Sequence, residues 1–133
     1  MKSDIEIKTD VYRYINGSEL HRAVTGVLRK TGKRPHNSKN EDIVISVLAN
    51  VNGQIQTATV NVNIYVAANI VDGQPEEQSK RLEELCDLAS DLFDVFRGGG
   101  YRARLLEQRV FEVAGADEYV INNKIEYKQL NEG

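Results

Sequence analysis

The stretch Ile43–Val71 reads IVISVLANVNGQIQTATVNVNIYVAANIV and contains no Asp, Glu, Lys or Arg, although 28% of the residues in the chain are charged. Asn52-Gly53 lies inside it, and this dipeptide tolerates the positive φ angles that both central positions of a type I′ turn require. Residues with high β propensity flank the turn on both sides. The stretch therefore predicts a long β-hairpin around which the rest of the chain is organised.

The predicted turn determines which side chains share a face of the hairpin. Counting outward from the turn gives these opposite pairs: Val51 with Gln54, Val47 with Ala58, Ile45 with Val60 and Ile43 with Val62. One face is then apolar. The second strand fills the other face with neutral side chains, from Thr57, Thr59, Asn61, Asn63 and Tyr65. A solvated sheet face usually carries Lys and Glu, which also prevent unwanted edge pairing, so we expect another protein to cover this face.

The length and composition of the chain predict one domain spanning residues 1–133. Hydrophobic residues make up 41% of the chain and its net charge is −3, which argues against disorder and against nucleic-acid binding through overall positive charge. Cys86 is the single cysteine, which excludes an intramolecular disulfide and a multi-cysteine zinc site. No signal peptide is recognisable and no apolar run approaches the ~20 residues that cross a bilayer, so we expect a soluble intracellular protein.

The N-terminal part of the chain predicts an extended segment followed by a helix. Apolar residues alternate between Asp4 and Ile15, so residues 1–15 are predicted as a strand or an arm. Ser18 is a good N-cap for a helix that runs to about Lys30. Gly26 inside that helix costs about 1 kcal/mol relative to Ala, which indicates close packing or a helix of modest stability.

Every charged residue between His21 and Asn40 is positive. These cations are Arg22, Arg29, Lys30, Lys33, Arg34 and Lys39. The segment is compatible with an acidic partner or phosphate, and also with a solvated loop whose cations follow a helix C-terminus. We favour the solvated loop, because no aromatic residues are interleaved with the cations and the chain is acidic overall.

A second amphipathic helix is predicted from Pro75 to about Phe96, since Pro suits the first helical position. Its apolar arc is wider than the ~100° that packing on one sheet requires, so its flanks are expected to meet the first helix or another subunit. The opposite face is acidic between Glu83 and Asp94. At this spacing the acids are usually solvated, and a neighbouring subunit's basic segment is the other surface they could meet.

The rest of the chain predicts a second hairpin. Gly98-Gly99-Gly100 follows a helix instead of preceding one, so we interpret it as a helix C-cap and flexible turn and not as a phosphate-binding loop. One strand begins at Tyr101 and needs a β-bulge between Leu106 and Arg109. The other strand returns from Tyr119 to about Leu130, and a polar end at Asn131-Glu132-Gly133 follows it.

No group of residues in the sequence predicts a catalytic, cofactor-binding or metal site. His21 and His36 have no His, Cys or carboxylate at metal-ligand spacing. Cys86 falls on the apolar face of the second helix, where a small core side chain is expected and a reactive thiolate is not. We therefore expect a protein that is not an enzyme and that has no cofactor.

Together these elements predict an α+β fold with a single, mainly antiparallel sheet of two long hairpins. Two amphipathic helices are expected on one face, in the order α-β-β-α-β-β, with an extra N-terminal strand or arm. A family resemblance lies in this order of elements, in the piece VNVNIYV at residues 60–66 and in the piece PEEQSKRLEEL at residues 75–85. In these features the chain resembles the tail-completion or tail-terminator proteins of tailed bacteriophages and prophages.

The resemblance implies a structural subunit that catalyses no reaction. Proteins of this family form a ring, commonly of six subunits, that caps the finished tail tube and presents a surface to the head-neck assembly. The implied partners are further copies of the chain and tail-tube or neck proteins, with no membrane and no nucleic acid. The implied location is the host cytoplasm during assembly and then the virion tail. The alternatives are a head-tail neck protein or a small module that contacts nucleic acid through residues 22–39.

The expected contacts with subunits or partner proteins form two groups. The first is the neutral face of the hairpin, from Thr57, Thr59, Asn61, Asn63 and Tyr65. The second is the basic segment, from Arg29, Lys30, Lys33, Arg34 and Lys39. Interface cores are depleted in charge, as the first group is. A ring also needs contacts between unlike patches, which the basic segment and the acidic helix face would supply.

Overall fold

A computed structural model of the protein describes residues 1–130. Its helices are α1 (Asp4–Ile15), α2 (Glu19–Ala23) and α3 (Ser79–Phe93). Its strands are β1 (Leu28–Arg29), β2 (Ile43–Val51), β3 (Ile55–Ala67), β4 (Asn69–Val71), β5 (Gln74–Glu76), β6 (Val95–Gly98), β7 (Tyr101–Val113) and β8 (Glu118–Leu130). The polar end predicted at residues 131–133 lies outside the described residues. Over residues 1–130, no helix is long and apolar enough to cross a membrane.

Six strands form one mixed sheet in the order β1-β2-β3-β8-β7-β6. β1 is parallel to β2, and the other neighbours are antiparallel. β4 and β5 form a separate two-stranded ribbon. The predicted fold class is therefore wrong: the sheet is not a single antiparallel sheet of two hairpins, and the order α-β-β-α-β-β omits a helix and four short strands. Such short strands are stabilised by the neighbours they pair with, so their own sequences indicate them weakly.

The predicted hairpin pairs β2 with β3, but with a different register. The observed pairs are Ile43 with Ile64, Ile45 with Val62, Val47 with Val60 and Val51 with Thr57. A bulge between Val47 and Ala49 adds one residue to β2, and the connection between the strands is longer than a two-residue turn. Near Ile43 the observed register differs from the predicted one by two residues, because Ile43 pairs with Ile64 and not with Val62. Because side chains alternate between faces with a period of two, the same residues of β3 remain on the apolar face.

The core lies between one face of the six-stranded sheet, here called the inner face, and the three helices. Alternate residues of β3 from Ala58 to Val66 are buried on this face, and β8 adds Ile121, Ile125 and Tyr127. The helices contribute buried residues to the same core, namely Ile7, Val11, Ile15, Leu20, Leu82, Leu85, Ala89 and Phe93. The opposite face of the sheet, the outer face, therefore lies away from the helices.

Residues 4–15 form a helix, so the predicted N-terminal strand or arm is wrong. The side chain of Ser3 accepts a hydrogen bond from the Glu6 backbone N–H, and the Glu6 carboxylate accepts one from the Ser3 backbone N–H. This capping box satisfies two N–H groups at the helix start. Ile7, Val11 and Ile15 are spaced by four residues and are all buried. That helical spacing, and not the two-residue alternation in the same segment, determines the structure.

The first predicted helix is much shorter than residues 18–30. Ser18 is its N-cap, as expected, but α2 ends at Ala23. The chain then turns into the sheet, where the Val27 carbonyl accepts a hydrogen bond from the Ile43 N–H at 2.8 Å. Gly26 packs tightly at this point, because a Cβ there would collide with the Asp42 carboxylate and would lie 2.7 Å from the Glu41 carbonyl oxygen. Of the two interpretations of Gly26, close packing is correct.

The predicted second helix is displaced toward the C-terminus at its start and shortened at its end. Pro75 lies in β5, and α3 begins at Ser79. The residues after Asp94 form β6 and not a last helical turn. Gly98 is consequently the last residue of β6 and Gly99-Gly100 form the turn to β7, so the triplet is a turn and not a helix C-cap. Gly98 must be small, because a Cβ there would collide with the Tyr101 ring. The bulge predicted in the next strand is confirmed between Leu105 and Glu107.

Candidate assembly surfaces

The neutral face predicted for the hairpin is the part of the outer face that β3 contributes. Its predicted contact residues, Thr57, Thr59, Asn61, Asn63 and Tyr65, are all half-exposed. The residues that alternate with them are buried in the core, namely Ala58, Val60, Val62 and Ile64. Because the buried residues of the helices belong to that core, the helices do not cover this side of the sheet. The predicted contact residues therefore form one accessible strip.

The other half of the outer face is charged. β8 lies beside β3 and places Lys124, Glu126 and Lys128 next to the neutral strip, and β7 adds Arg102 and Arg104. The Arg104 Nε lies 3.2 Å and the Lys128 Nζ 3.6 Å from Glu126 Oε1. The hydrogen bond from Arg104, with smaller contributions from the charges of both cations, lowers the pKa of Glu126. Sequence reasoning missed this half, because only the strand order brings β8 beside β3.

Asparagine side chains join the two halves. The Asn122 Nδ2 of β8 donates to Asn63 Oδ1 at 2.7 Å and to Asn61 Oδ1 at 3.3 Å. A cross-strand amide pair of this kind gives a polar surface without net charge, and its groups remain able to bond to a partner. The boundary between the neutral and charged halves therefore runs between β3 and β8, and Asn122 bridges it.

The basic segment folds over one end of the outer face, and Arg34 holds it there. The Arg34 Nε lies 2.8 Å from Asp42 Oδ2, and its Nη1 lies 2.6 Å from Glu118 Oε2. Its guanidinium carbon also lies 4.4 Å from the centre of the Tyr65 ring, in cation–π range. The Nη2 donates to the carbonyl oxygens of Ser38 and Asn40. Arg34 is therefore a structural residue that joins the segment to the starts of β2 and β8.

The ion pairs of Arg34 shift the pKa values of the groups involved. Burial of the guanidinium alone would lower the pKa of Arg34, but hydrogen bonds and charges from Asp42 and Glu118 outweigh it and raise the pKa. Burial alone would raise the pKa of Asp42, yet bonds donated by the Ser38 hydroxyl, the Val27 N–H and Arg34 lower it. Both groups are therefore held in their charged forms by the fold.

The remaining cations of the predicted basic group fall into two kinds. Lys30 is engaged internally, with its Nζ 3.0 Å from Thr9 Oγ1 and over the Tyr12 ring. Lys39 donates to the Ala116 carbonyl oxygen at 3.3 Å, but it stays exposed. Arg29 and Lys33 are exposed, and neither makes an ion pair within residues 1–130. Lys33, Arg34 and Lys39 line the end of the outer face that holds Asn63 and Tyr65, whereas Lys30 lies against α1 on the helical side. Arg34 and Lys30 are therefore unavailable to a partner.

An open groove of about 590 Å³ lies between the basic segment and the outer face. It is lined by residues 32–39 and by Val44, Ser46, Asn63, Tyr65 and Glu118. The guanidinium of Arg34 is already neutralised by two carboxylates there. The groove therefore offers side chains for a protein contact and not a strongly positive anion site.

The acidic face predicted for the second helix is present on α3. Glu83, Asp87, Asp91 and Asp94 are exposed, and none makes an ion pair in the part of the chain that the structure describes. An ion pair connects α3 to the residue that precedes Asp42. Arg81 of α3 makes a bidentate pair with Glu41, with both N–O distances 2.7 Å. Hydrogen bonding to Glu41 is the main cause of the raised pKa of Arg81.

A second groove, of about 680 Å³, lies between α1 and the glycine turn. At its base the Tyr127 hydroxyl donates to Asp10 Oδ2 at 2.6 Å, and the Lys2 Nζ lies 2.6 Å from the same oxygen. Burial, with the nearby charge of Asp10, raises the pKa of Tyr101 to about 12 and also raises that of Tyr127. Both phenols stay protonated at neutral pH, so the groove holds no activated nucleophile among them.

The residues considered for metal or thiol chemistry are not assembled into a site. Over residues 1–130, no three His, Cys, Asp or Glu side chains are grouped to hold a metal ion. The His21 Nδ1 accepts the Gly17 N–H at 3.0 Å near the start of α2, and His36 is exposed. Cys86 is half-buried against the core, and burial followed by the charge of Asp87 raises the pKa of its thiol. A raised pKa disfavours the reactive thiolate.

No protein-family model matches the chain, and no curated protein matches it. Among solved structures, the fold is similar to a chain in the virion of a native gene transfer agent (GTA) particle. The TM-score is 0.57 with 12% sequence identity, and the match covers 92% of this chain and 93% of the other. The two chains therefore share a fold over nearly their whole lengths.

Proposed function

We propose that the chain is a non-enzymatic structural subunit of a phage-like particle. More specifically, we propose a tail-terminator or tail-completion protein that forms a ring at the end of the tail tube. The observation that carries the proposal is the likeness to a chain in a gene transfer agent virion, which extends over 92% of this chain. Matched length matters here, because the likeness extends over the whole fold and not over one motif within it.

Two features of the molecule support an assembly role. The outer face presents an accessible neutral strip from Thr57 to Tyr65, and depletion of charge is typical of the buried centre of an interface. The buried polar side chains are satisfied within the chain, since no buried side-chain nitrogen or oxygen among the described residues lacks a hydrogen bond. The residues best placed to bind something are thus on the surface, as a subunit of a larger particle requires.

The test of the proposed function is binding to tube ends. We expect the wild-type chain to appear at the ends of tubes made by the tube protein of the same phage or prophage, as seen by electron microscopy. The double variant Asn61→Lys, Asn63→Lys places two charges in the neutral strip, and charges buried without partners oppose association. We expect its occupancy of tube ends to fall on the order of tenfold or more.

A matched control is Arg13→Glu, which changes the charge of an exposed residue on α1, on the helical side of the sheet. This variant should occupy tube ends as the wild type does. Equal capping by the double lysine variant would show that the neutral strip is not the contact. A wild-type chain that is never found at tube ends, but that binds the head side of a neck, would favour the neck alternative.

The nucleic-acid alternative has fewer cations available than the sequence suggests. Arg34 and Lys30 are engaged internally, which leaves Arg22, Arg29, Lys33 and Lys39 exposed. Four cations release at most about four counterions from duplex DNA, so a plot of log affinity against log salt should have a slope no steeper than about −4. Fluorescence anisotropy across a salt series measures it. A steeper slope, or tight binding at physiological salt, would contradict the structural role.

A further inference from the structure

The charged half of the outer face carries more cations than its own ion pairs neutralise. Its cations, here called the basic stripe, are Arg97, Arg102, Arg104, Arg109, Lys124 and Lys128. The carboxylates of Glu107 and Glu126 lie among them and make ion pairs with three, namely Arg104, Arg109 and Lys128. The other three make no ion pair within residues 1–130. The stripe is therefore positive on a chain whose net charge is −3.

Three cations of the stripe stand directly opposite one another on neighbouring strands. Arg97 of β6 is in register with Arg102 of β7, and Arg102 is in register with Lys128 of β8. Neighbouring strands are about 4.8 Å apart, and like charges directly opposite on one face destabilise a sheet. An anionic surface bound over this row would remove the repulsion. The fold thus holds the row in a geometry that favours an acidic partner.

The surroundings of the row favour a protein as that partner. A shallow cavity of about 310 Å³ lies there, and its lining includes Val95, Arg97, Arg102 and Arg104. The Val95 side chain is 60% exposed. Arginine is enriched at protein–protein interfaces, and apolar area forms their centre. The acidic chain as a whole opposes the approach of nucleic acid, so carboxylates of a protein suit the stripe better than phosphates.

The molecule itself carries a matching acidic surface on the other side of β7. α3 lies lengthwise along the inner side of that strand, because the Gln108 Nε2 donates to the Cys86 carbonyl oxygen at 3.1 Å and the Leu105 N–H donates to the Asp94 carbonyl oxygen at 3.4 Å. The acidic face of α3 is exposed and makes no ion pair within residues 1–130; its residues are Glu83, Asp87, Asp91 and Asp94. The basic stripe and the acidic face therefore follow the same strand on opposite sides of the molecule.

The spacings of the two sets of charges agree. Four successive rows across the outer face of β7 and β8 each hold a cation, in the order Arg102, Arg104, Lys124 and Arg109. Such rows are about 6.6 Å apart along a strand. Glu83, Asp87 and Asp91 follow one another at four-residue intervals, which is about 6 Å along a helix. A helix laid along the stripe can therefore place successive carboxylates beside successive rows of cations.

We propose that the acidic face of α3 in one copy of this chain docks on the basic stripe of the next copy, outer face to helical side. The proposal rests on the proposed function, because it names the surfaces that join neighbouring subunits of the ring. The contact is heterologous, so a dimer keeps one free surface of each kind and adds copies until a ring closes. A ring inclines neighbouring copies to each other, and an inclination that closes at the basic stripe leaves the neutral strip of β3 open to the tube.

Charge reversal on each surface tests the contact. The stripe variant carries Arg97→Glu and Arg102→Glu, and the helix variant carries Asp87→Lys and Asp91→Lys; all four residues are exposed. We expect the wild type to form oligomers as its concentration rises, measured by analytical ultracentrifugation. Each variant alone places like charges at every joint, so we expect self-association to weaken on the order of a hundredfold.

An equimolar mixture of the two variants is the decisive sample. The stripe variant meets the helix variant with both charges reversed at one joint and with both native surfaces at the next. Alternating copies therefore restore opposite charges throughout, and we expect the mixture to regain oligomers with an even number of subunits. A mixture that stays monomeric, variants that associate as tightly as the wild type, or a wild type that is monomeric at its highest soluble concentration would overturn the contact.

The matched control carries Arg29→Glu and Lys33→Glu, which reverse two exposed cations on or near β1, at the opposite edge of the sheet. Its change in net charge equals that of the stripe variant, and we expect it to associate as the wild type does. An equal loss in the control would mean that net charge, and not the stripe, governs association.

Thermal stability separates a contact from a role within the monomer. Arg102→Glu alone places an anion between Arg97 and Lys128, which removes repulsion inside the sheet. We expect a melting temperature at least equal to that of the wild type, together with self-association weakened about tenfold. A lower melting temperature would show that Arg102 serves the monomer and would overturn the contact. Duplex DNA binding that the stripe variant loses, with unchanged self-association, would overturn it as well.

Binding to tube ends separates this inference from the proposed function. If the mixture fails to assemble while the wild type still caps tubes, the contact is wrong and the proposed function stands. If the mixture assembles but neither it nor the wild type binds tube ends, the contact stands and the proposed function is wrong.

Discussion

Replacing Arg34 by Ala is expected to lower the free energy of unfolding by about 3–5 kcal/mol, because it leaves two buried carboxylates without their cation. Asp42 is 1% exposed and Glu118 is 5% exposed, so both carboxylates depend on bonded partners more than on solvent. The cation–π contact with Tyr65 and the bonds to two carbonyl groups of the basic segment are lost as well. Urea denaturation at neutral pH measures the change.

Lys33→Ala is the matched control, since Lys33 is the preceding residue and is exposed. It should change stability by less than about 0.5 kcal/mol. A loss in Arg34→Ala no larger than in this control would contradict the structural role of Arg34. Arg34 would then again be a candidate for contact with a partner protein.

The pH dependence of the same variant gives an independent test. The folded state lowers the pKa of Asp42 from its ordinary value of 3.8. The stability that this carboxylate contributes is therefore complete above 3.8 and is lost as the pH falls through the folded pKa. In Arg34→Ala the hydrogen bonds from the Ser38 hydroxyl and the Val27 N–H remain, and the part of that contribution that comes from Arg34 is absent. We expect the difference in stability between wild type and variant to shrink below about pH 4, in denaturation curves recorded from neutral to acidic pH.

Gly26→Ala is expected to destabilise the protein by about 2–3 kcal/mol, because the added methyl group has no space. It would collide with the Asp42 carboxylate and lie 2.7 Å from the Glu41 carbonyl oxygen, and a backbone atom cannot rotate away. The Gly26 N–H also donates to that carbonyl at 3.0 Å. Thermal or chemical denaturation gives the size of the effect.

Gly99→Ala provides the comparison, because a Cβ at Gly99 has no atom within 4 Å. Its stability should remain within about 0.5 kcal/mol of the wild type. If Gly26→Ala is tolerated equally well, the junction between α2 and β1 is looser than the described packing. On helix propensity alone Gly26→Ala would be stabilising by about 1 kcal/mol, so the sign of the effect separates the two interpretations.

The sequence predicts the long strands well and the short ones poorly. The alternation of β3 correctly separates the buried residues, such as Val60 and Val62, from the half-exposed Asn61 and Asn63. A strand of thirteen residues carries enough alternating positions to be recognised without its neighbours. β1 has two residues and β6 has four, too few alternating positions to be recognised on their own. Their conformation is determined by the sheet edge and not by their own residues.

The candidate surfaces show the same division. The neutral strip follows directly from the composition of β3, and its side chains are half-exposed, as the alternation predicts. Its role as a contact surface stays a prediction. Arg34, by contrast, forms an ion pair with Glu118, which is 84 residues away in the sequence. Nothing in the sequence around Arg34 indicates that ion pair. The uninterrupted run of positive charge made Arg34 resemble its exposed neighbours. Only the fold distinguishes a cation that stabilises the chain from one that is free to bind a partner.

The ion pairs of Arg34 also constrain how this surface can evolve. Replacing Arg34 alone leaves two buried carboxylates without their cation, so a first step at this position passes through a less stable protein. Exposed neighbours such as Lys33 and Lys39 carry no such penalty. The basic segment can therefore acquire a new binding specificity by single substitutions at its exposed positions while the position of its backbone is inherited unchanged.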